Sequence, residues 1–187
     1  MRQKNSLLRS REYFFPEEIE ILLEATRKSP RYGHRNYTLV LISFRHGLRV
    51  SEAHELRWAQ IDFSLKKIHV NRVKRGQPSI HPLRTDEIKA LLKLKKESKE
   101  HKYIFLSERG KPLSIRSMQS ILETSGKKAN FDFPAHFHML RHSCGFYLAN
   151  RGIDTRAIQD YLGHTNITHT VGYTKLVSTR FDNFFDN

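Results

Sequence analysis

The sequence has little of what secreted and membrane-spanning proteins depend on. Cys144 is its single cysteine, so no internal disulfide can form and a reducing compartment is expected. No stretch approaches the roughly 18 uninterrupted apolar residues that a membrane helix needs. The basic segment 1–11 lacks the apolar centre of a secretory signal. These absences predict a cytoplasmic protein without a membrane partner.

Acidic residues are also scarce. The 187 residues include 33 Lys and Arg against 19 Asp and Glu, which gives a formal net charge of +14. Such an excess attracts polyanions, because each phosphate contact releases condensed counterions. No long basic amphipathic helix or lipidation motif points to a membrane surface instead. The composition favours nucleic acid as the partner, and a protein that is merely basic is the alternative.

The spacing of apolar residues predicts a mainly α domain with a small antiparallel β-sheet. A first helix is expected to begin at Pro16, where acidic residues of the first turn suit the helix dipole. A buried helix over 35–46 should end before Gly47, and Ser51 is the expected N-cap of the next helix. Further helices are predicted after caps at Thr85 and Ser114, and over 136–150, 155–162, 167–176 and 179–185.

Between the predicted helices, within residues 68–83, the spacing of apolar residues changes to every second position. Ile68 and Val70 alternate with polar residues, a second short run covers 79–83, and a basic turn with Lys74 lies between them. This pattern predicts a β-hairpin, and 103–106 is expected to be another short strand. A turn lysine is usually only solvated. Presented on a hairpin, however, it can enter the minor groove and protonate a leaving oxygen.

Two arginines are candidate anion ligands. Arg49 stands at a predicted helix entrance, where backbone N–H groups and a guanidinium can converge on an anion. The plainer alternative is a surface ion pair with Glu52. His138 and Arg141 are three residues apart, so on a helix they share a face and can address one phosphate. That spacing by itself is a weak signal.

A histidine and a tyrosine near the C-terminus complete the candidate set. Gly163 is typical of the residue that follows a helix, with Thr165 opening the next one. This turn would hold His164 while the following helix delivers Tyr173. A tyrosine taken alone is more often a packing residue.

Clustered histidines also raise the question of a metal. His138 and His142 have the i, i+4 spacing that zinc ligands can show, and His136 is adjacent. Yet the sequence contains no HExxH motif, and Arg141 stands among the would-be ligands. No metal site is predicted.

Taken in order, five elements resemble the catalytic set of the tyrosine recombinase (phage integrase) family over roughly residues 13–176. They are Arg49, Lys74, the HxxR motif at 138–141, the LGH motif at 162–164 and Tyr173. The stretches 139–146 and 152–164, together with His81-Pro82-Leu83, are most similar to the short fimbrial phase-variation recombinases, the FimB- and FimE-like subgroup.

The resemblance implies a division of the chain and a set of site residues. It implies a basic N-terminal arm over 1–12, a catalytic domain over 13–177 and a C-terminal tail helix over 178–187. It assigns catalysis to six residues and implies neither a cofactor nor a metal. The six are Arg49, Lys74, His138, Arg141, His164 and Tyr173.

It also implies partners and a biological role. The expected activity is inversion of a promoter-bearing DNA segment between inverted repeats, performed on the bacterial nucleoid by a homo-tetramer. Many family members close a clamp on DNA with a separate N-terminal domain. Only a short arm precedes the catalytic domain here, so either accessory DNA-bending proteins or the arm itself is expected to compensate, and a fragment of a longer protein is the other possibility. In the tail, Phe181, Phe184 and Phe185 form an apolar stripe that would pack on its own core or dock on a neighbouring protomer.

Three other functions stay open at this stage. A DNA-binding regulator could keep the recombinase fold without chemistry, although a pure binder needs no tyrosine at position 173. A topoisomerase-like or integrase-type enzyme could use the same centre and would leave different DNA products. A metal-dependent nuclease would lose its activity in EDTA.

Overall fold

A computed structural model describes residues 11–72, 76–98 and 101–175 as helices around a small sheet. The helices are α1 Pro16–Arg27, α2 Gly33–Arg45, α3 Val50–His54, α4 Thr85–Glu97, α5 Ile115–Lys128, α6 Phe137–Asn150, α7 Thr155–Leu162 and α8 Thr168–Lys175. The strands are β1 Ile61–Asp62, β2 Lys67–Val70 and β3 Ser79–Pro82, and a 3-10 turn covers Trp58–Gln60. The expectation of a mainly α fold with a small antiparallel sheet is confirmed.

Helix α1 begins where the sequence predicts, at Pro16. The Glu18 side chain accepts a hydrogen bond from the backbone N–H of Phe15 at 2.7 Å, which satisfies a donor that the helix cannot pair internally. Ile19 and Leu22 form the buried face of this helix. Amphipathic spacing and an acidic first turn are therefore sufficient to place α1 against the core.

The sheet confirms the predicted hairpin and adds one strand. Strands β2 and β3 are antiparallel, with Ile68 opposite His81 and Val70 opposite Ser79. The two-residue strand β1 pairs along the other edge of β2. The strand expected over 103–106 is wrong: Tyr103 and Leu106 take part only in isolated bridges.

Three helix starts differ from the sequence prediction, and in one of them α4 begins at Thr85 with Arg84, not Thr85, as its N-cap. Helix α3 begins at Val50, one residue before the expected cap Ser51, because the Glu52 carboxylate reaches back to the N–H of Arg49 at 2.9 Å. Helix α8 begins at Thr168 rather than at Thr165, because the Asn166 side chain accepts from the N–H of Thr168 at 2.9 Å. In each place the helix starts where a side-chain oxygen accepts a hydrogen bond from a backbone N–H, and not at the first plausible cap residue in the sequence.

Buried apolar residues form two clusters. The larger one joins α1, α2, α4, α5 and the sheet with the first half of α6. The smaller one lies between α6, α7 and α8 and consists of Cys144, Ala149, Ile158, Leu162 and Tyr173. Tyr173 is thus held by a separate small core. None of the helices within the described ranges combines the length and apolar character of a bilayer crossing.

Three predicted features lie outside the described residues. They are Lys74 in the hairpin turn, most of the basic arm over 1–12, and the tail helix over 178–187.

Candidate active site

The site is built around the turn that follows α2. Gly47 has a φ of +56°, and a Cβ there would lie 2.3 Å from a methyl carbon of Leu162, so both conformation and space require glycine. Arg49 follows this turn as the N-cap of α3, with a quarter-exposed side chain. Its Nη1 donates to Oε1 of the buried Glu52 at 2.9 Å. The predicted ion pair exists, and it orients Arg49 at the opening of the site.

Arg141 links this turn to the end of α7. It is 1% exposed, and its Nη1 and Nη2 donate to the carbonyl oxygens of Gly47 at 2.6 Å and Leu162 at 2.7 Å. Burial lowers the pKa of Arg141 to about 10, and the charges of Arg49 and Arg72 add to this effect. The guanidinium therefore remains charged at neutral pH while it stands among other cations.

A third arginine was missed by the sequence reasoning. The Arg72 side chain is fully buried, and its Nη1 donates to Oε2 of Glu52 at 3.0 Å and to the carbonyl oxygen of Gly47 at 3.2 Å. Its Nη2 donates to the carbonyl oxygens of His46 and Tyr161. A signal for it was present. The alternation that buries Ile68 and Val70 continues to position 72, so an arginine there points into the protein.

Together Arg49, Glu52, Arg72 and Arg141 form what we call the arginine cluster. Three guanidinium groups and one carboxylate leave it with a formal charge of +2. The Nε of Arg72 is buried without a hydrogen-bond acceptor among the described residues. A buried excess of positive charge is costly unless an anion joins it. The cluster is therefore suited to binding a phosphate.

Tyr173 lies beside this cluster on α8. It is 6% exposed, and its ring packs on Gly145 of α6, where a Cβ would lie 2.4 Å from a ring carbon. Its hydroxyl is 3.0 Å from Nδ1 of His142. Burial raises the pKa of Tyr173 to about 12, although the charges of Arg141 and Arg49 favour its ionised form. The phenol is protonated at neutral pH and must lose its proton before it can act as a nucleophile.

His164 is held next to the tyrosine, as the sequence predicts. Gly163 has a φ of +65° at the end of α7, and Nδ1 of His164 lies 2.9 Å from the hydroxyl oxygen of Thr170. The His164 and Tyr173 rings stack at 6.3 Å between centroids. Burial, and then the charge of Arg141, lower the pKa of His164 to about 3, so it is a neutral hydrogen-bonding group at pH 7.

The histidines of α6 take different positions. His138 is exposed and meets the His142 ring edge to face, with 4.4 Å between centroids. His142 is half-buried and contacts the Tyr173 hydroxyl. Across the described ranges, no three His, Cys, Asp or Glu side chains converge as metal ligands would. The structure thus brings Arg49, Arg141, His164 and Tyr173 together and adds Arg72 and His142.

Known proteins share this fold and much of this sequence. Residues 12–180 match the phage integrase family. The chain is 45% identical over 183 residues to the type 1 fimbriae regulatory protein FimB of Escherichia coli (strain K12), covering 95% of this chain and 91% of that protein. It is 40% identical over 177 residues to FimE of the same strain, covering 91% of this chain and 89% of that protein.

A solved structure shows the same fold at lower sequence identity. The crystal structure of the XerH site-specific recombinase bound to palindromic difH substrate, a post-cleavage complex, superposes with a TM-score of 0.79 at 22% identity. The match covers 92% of this chain and 52% of the XerH chain, so this chain spans about half of that longer protein.

Proposed function

Because the chain belongs to the phage integrase family of tyrosine recombinases, we propose that it breaks and rejoins DNA at specific sites through Tyr173. The observation that carries this proposal is the arginine cluster, a buried site with a formal charge of +2, beside a buried tyrosine. A scissile phosphodiester supplies the negative charge that the cluster lacks. The tyrosine hydroxyl supplies the nucleophile.

Cleavage begins with attack of the Tyr173 hydroxyl oxygen on phosphorus. A 3′-phosphotyrosyl bond forms, and the bond from phosphorus to the 5′ oxygen breaks. Arg49 and Arg141 bind the nonbridging oxygens and stabilise the charge of the pentacoordinate transition state. Because the covalent link preserves the energy of the phosphodiester bond, rejoining needs neither ATP nor a metal ion.

Proton transfer is assigned to the remaining members of the set. Lys74, presented on the hairpin turn, protonates the leaving 5′ oxygen. His138 assists the removal of the proton from the tyrosine. His164 donates a hydrogen bond to the phosphate, and its short contact with Thr170 supports this role by orienting the ring.

The biological role follows from the two fimbrial relatives. We assign to this chain the inversion of a promoter-bearing DNA segment between inverted repeats, which switches fimbrial gene expression. The partners are double-stranded DNA of the bacterial nucleoid, three further copies of the chain on that DNA, and accessory DNA-bending proteins. Similarity to FimB and FimE over more than nine tenths of the chain supports this role.

Covalent capture tests the proposal. The wild type, Tyr173→Phe and the control Tyr147→Phe, which changes an exposed tyrosine of α6, are expressed in bacterial cells and denatured. The DNA that stays attached to the purified protein is sequenced. Wild type and Tyr147→Phe should retain DNA that ends within inverted repeats, whereas Tyr173→Phe should retain none.

Two outcomes would count against this function. Equal amounts of attached DNA from all three proteins would remove Tyr173 from the nucleophile's role. Ordinary DNA binding with no covalent DNA from any of them would favour the alternative, a regulator that binds DNA without cutting it.

A further inference from the structure

We propose that His142 is the direct proton acceptor of Tyr173: it takes the phenolic proton on cleavage and returns it on rejoining. This inference rests on the proposed function and adds a residue to it, because that assignment gives proton removal to His138. Its first support is contact. Nδ1 of His142 lies 3.0 Å from the hydroxyl oxygen of Tyr173, within the reach that proton transfer requires.

The placement of Tyr173 depends on the same helix face. His138, His142 and Gly145 lie on one stripe of α6, at spacings of four and three residues. The Tyr173 ring rests on Gly145, where a Cβ would approach to 2.4 Å, and its hydroxyl then reaches His142. His138 continues the stripe to the surface. A proton taken by His142 is thus one neighbouring ring away from solvent.

The protonation states leave His142 a neutral ring that is able to accept the phenolic proton. Tyr173 is protonated at neutral pH, so its hydroxyl can donate to Nδ1 of His142 when the neutral ring carries its proton on Nε2. Burial, and then the charges of His138, Arg141 and His136, lower the pKa of His142 to about 3. His142 is thus neutral without DNA. A phosphodiester in the arginine cluster adds a nearby negative charge, which favours the imidazolium that the transfer creates.

Every bond and proton is accounted for in both directions of the reaction. On cleavage the proton moves from the Tyr173 oxygen to Nδ1 of His142, the oxygen–phosphorus bond forms, and the 5′ oxygen leaves with a proton from its general acid. On rejoining, the 5′ hydroxyl gives its proton back to the deprotonated general acid, the 5′ oxygen–phosphorus bond forms, the phosphotyrosyl bond breaks, and His142 returns its proton to the departing phenolate.

A measurement without DNA tests the contact. In protein labelled with ¹⁵N at histidine, the His142 signals should show the neutral tautomer with the proton on Nε2 from pH 7 down to about pH 5. Tyr173→Phe should shift the Nδ1 signal. A proton on Nδ1, or no response to Tyr173→Phe, would overturn the inference whether or not the chain cuts DNA.

Single-turnover cleavage then tests the role, with a duplex of the sequence recovered by covalent capture. The variants are His142→Asn, whose amide oxygen can still accept from the tyrosine but cannot take its proton, His142→Ala, and His101→Asn. His101 is the control because its Nδ1 accepts from the N–H of Tyr103 in the segment after α4, and it makes no described contact with the arginine cluster or Tyr173. We expect both His142 variants to cut at least about 100-fold more slowly and His101→Asn to cut like the wild type.

A second substrate distinguishes proton removal from the tyrosine from protonation of the leaving 5′ oxygen. In a duplex with sulfur in place of the scissile 5′ oxygen, the leaving group needs no proton, so loss of a general acid is compensated. The defect of the His142 variants should persist on it. Rescue by sulfur would show that His142 acts on the leaving group. Cleavage by His142→Asn within threefold of the wild-type rate would show that the contact only positions Tyr173. Cleavage faster than the wild-type rate would show that the contact inhibits the reaction. Each result would overturn the proposal. If a variant fails to fold, the NMR measurement decides.

Discussion

Two buried polar clusters adjoin the Gly47 turn, and only one of them carries an excess of positive charge. Besides the arginine cluster there is a histidine cluster of Ser79, His81, His46 and Glu87. Ser79 Oγ lies 2.7 Å from His81 Nε2, the Nδ1 atoms of His81 and His46 are 3.0 Å apart, and His46 Nε2 lies 2.8 Å from a Glu87 oxygen.

Each ring nitrogen of the histidine cluster has a hydrogen-bond partner within the cluster. With one proton on each ring, the serine hydroxyl donates to His81, His81 donates to His46, and His46 donates to Glu87. Arg45 lies 3.3 Å from the Glu87 carboxylate and also pairs with the Asp86 carboxylate, so its charge is shared between the two. The arginine cluster, in contrast, contains three guanidinium groups and one carboxylate, with which only Arg49 and Arg72 pair directly. The excess of positive charge identifies the arginine cluster as the ligand site. The closed chain of donors and acceptors identifies the histidine cluster as a structural element.

The two clusters are joined through shared residues. The His46 side chain belongs to the histidine cluster, but its carbonyl oxygen accepts from Arg72 at 3.0 Å. The Tyr161 ring stacks on His81 with 3.7 Å between centroids, while its carbonyl oxygen also accepts from Arg72. The complete cluster therefore provides a rigid support for the incomplete one.

The largest expected effect is the loss of Arg72. Arg72→Met leaves a Glu52 oxygen and the carbonyl oxygens of His46 and Tyr161 without their buried donor. Removing one partner of a buried ion pair costs about 3–5 kcal/mol. Urea unfolding should show this decrease, whereas Arg116→Met, at an exposed position on α5, should change stability by less than about 0.5 kcal/mol. Equal effects of the two substitutions would remove Arg72 from the frame of the site.

A smaller effect is expected in the histidine cluster. Burial, and then the charges of His46 and Arg72, lower the pKa of His81 to about 3. The unfolded chain therefore binds the proton first, and stability is lost as the pH falls from about 6.5 towards about 3. His81→Asn should cost about 1–3 kcal/mol at pH 7.

The same variant should make stability less dependent on pH in that window. The dependence should decrease without vanishing, because the pKa values of His142 and His164 are also lowered to about 3. Urea unfolding at a series of pH values measures this, with His69→Asn on the exposed face of β2 as the control. An unchanged pH dependence in His81→Asn would contradict a buried, neutral His81.

The smallest effect tests the difference in charge between the clusters. Sulfate should bind the arginine cluster and raise the Tm more than chloride does at the same ionic strength. At ten times its Kd, a bound anion stabilises by roughly 1.4 kcal/mol. Arg49→Gln should abolish the extra stabilisation, and His81→Asn should preserve it. If both variants lose the extra stabilisation by sulfate, or neither loses it, the anion does not bind selectively at the arginine cluster.

Most of the fold could be predicted because helices and strands depend on local periodicity. The start of α1 at Pro16, the cap at Ser114 and the left-handed Gly163 were all readable from neighbouring residues. Strand β1 was not readable. It has two residues and exists only through its pairing with β2, so it has no periodicity of its own.

The site could be predicted only in part. Arg49, Arg141, His164 and Tyr173 were found from the order of their motifs, which a linear sequence preserves. Arg72 was missed although strand alternation pointed it inward, because a buried arginine is rare without a known partner.

Sequence alone determined the order of the helices and of the β2–β3 hairpin, the positive charge and the residues that can do phosphoryl chemistry, because composition, spacing and capping act within a few residues. Tertiary structure alone decided that Arg49 and Arg72 share Glu52 and that His142 faces the Tyr173 hydroxyl. Those relations join α2, β2, α6, α7 and α8 across long stretches of chain. They also depend on burial, which sets the charge that each group carries.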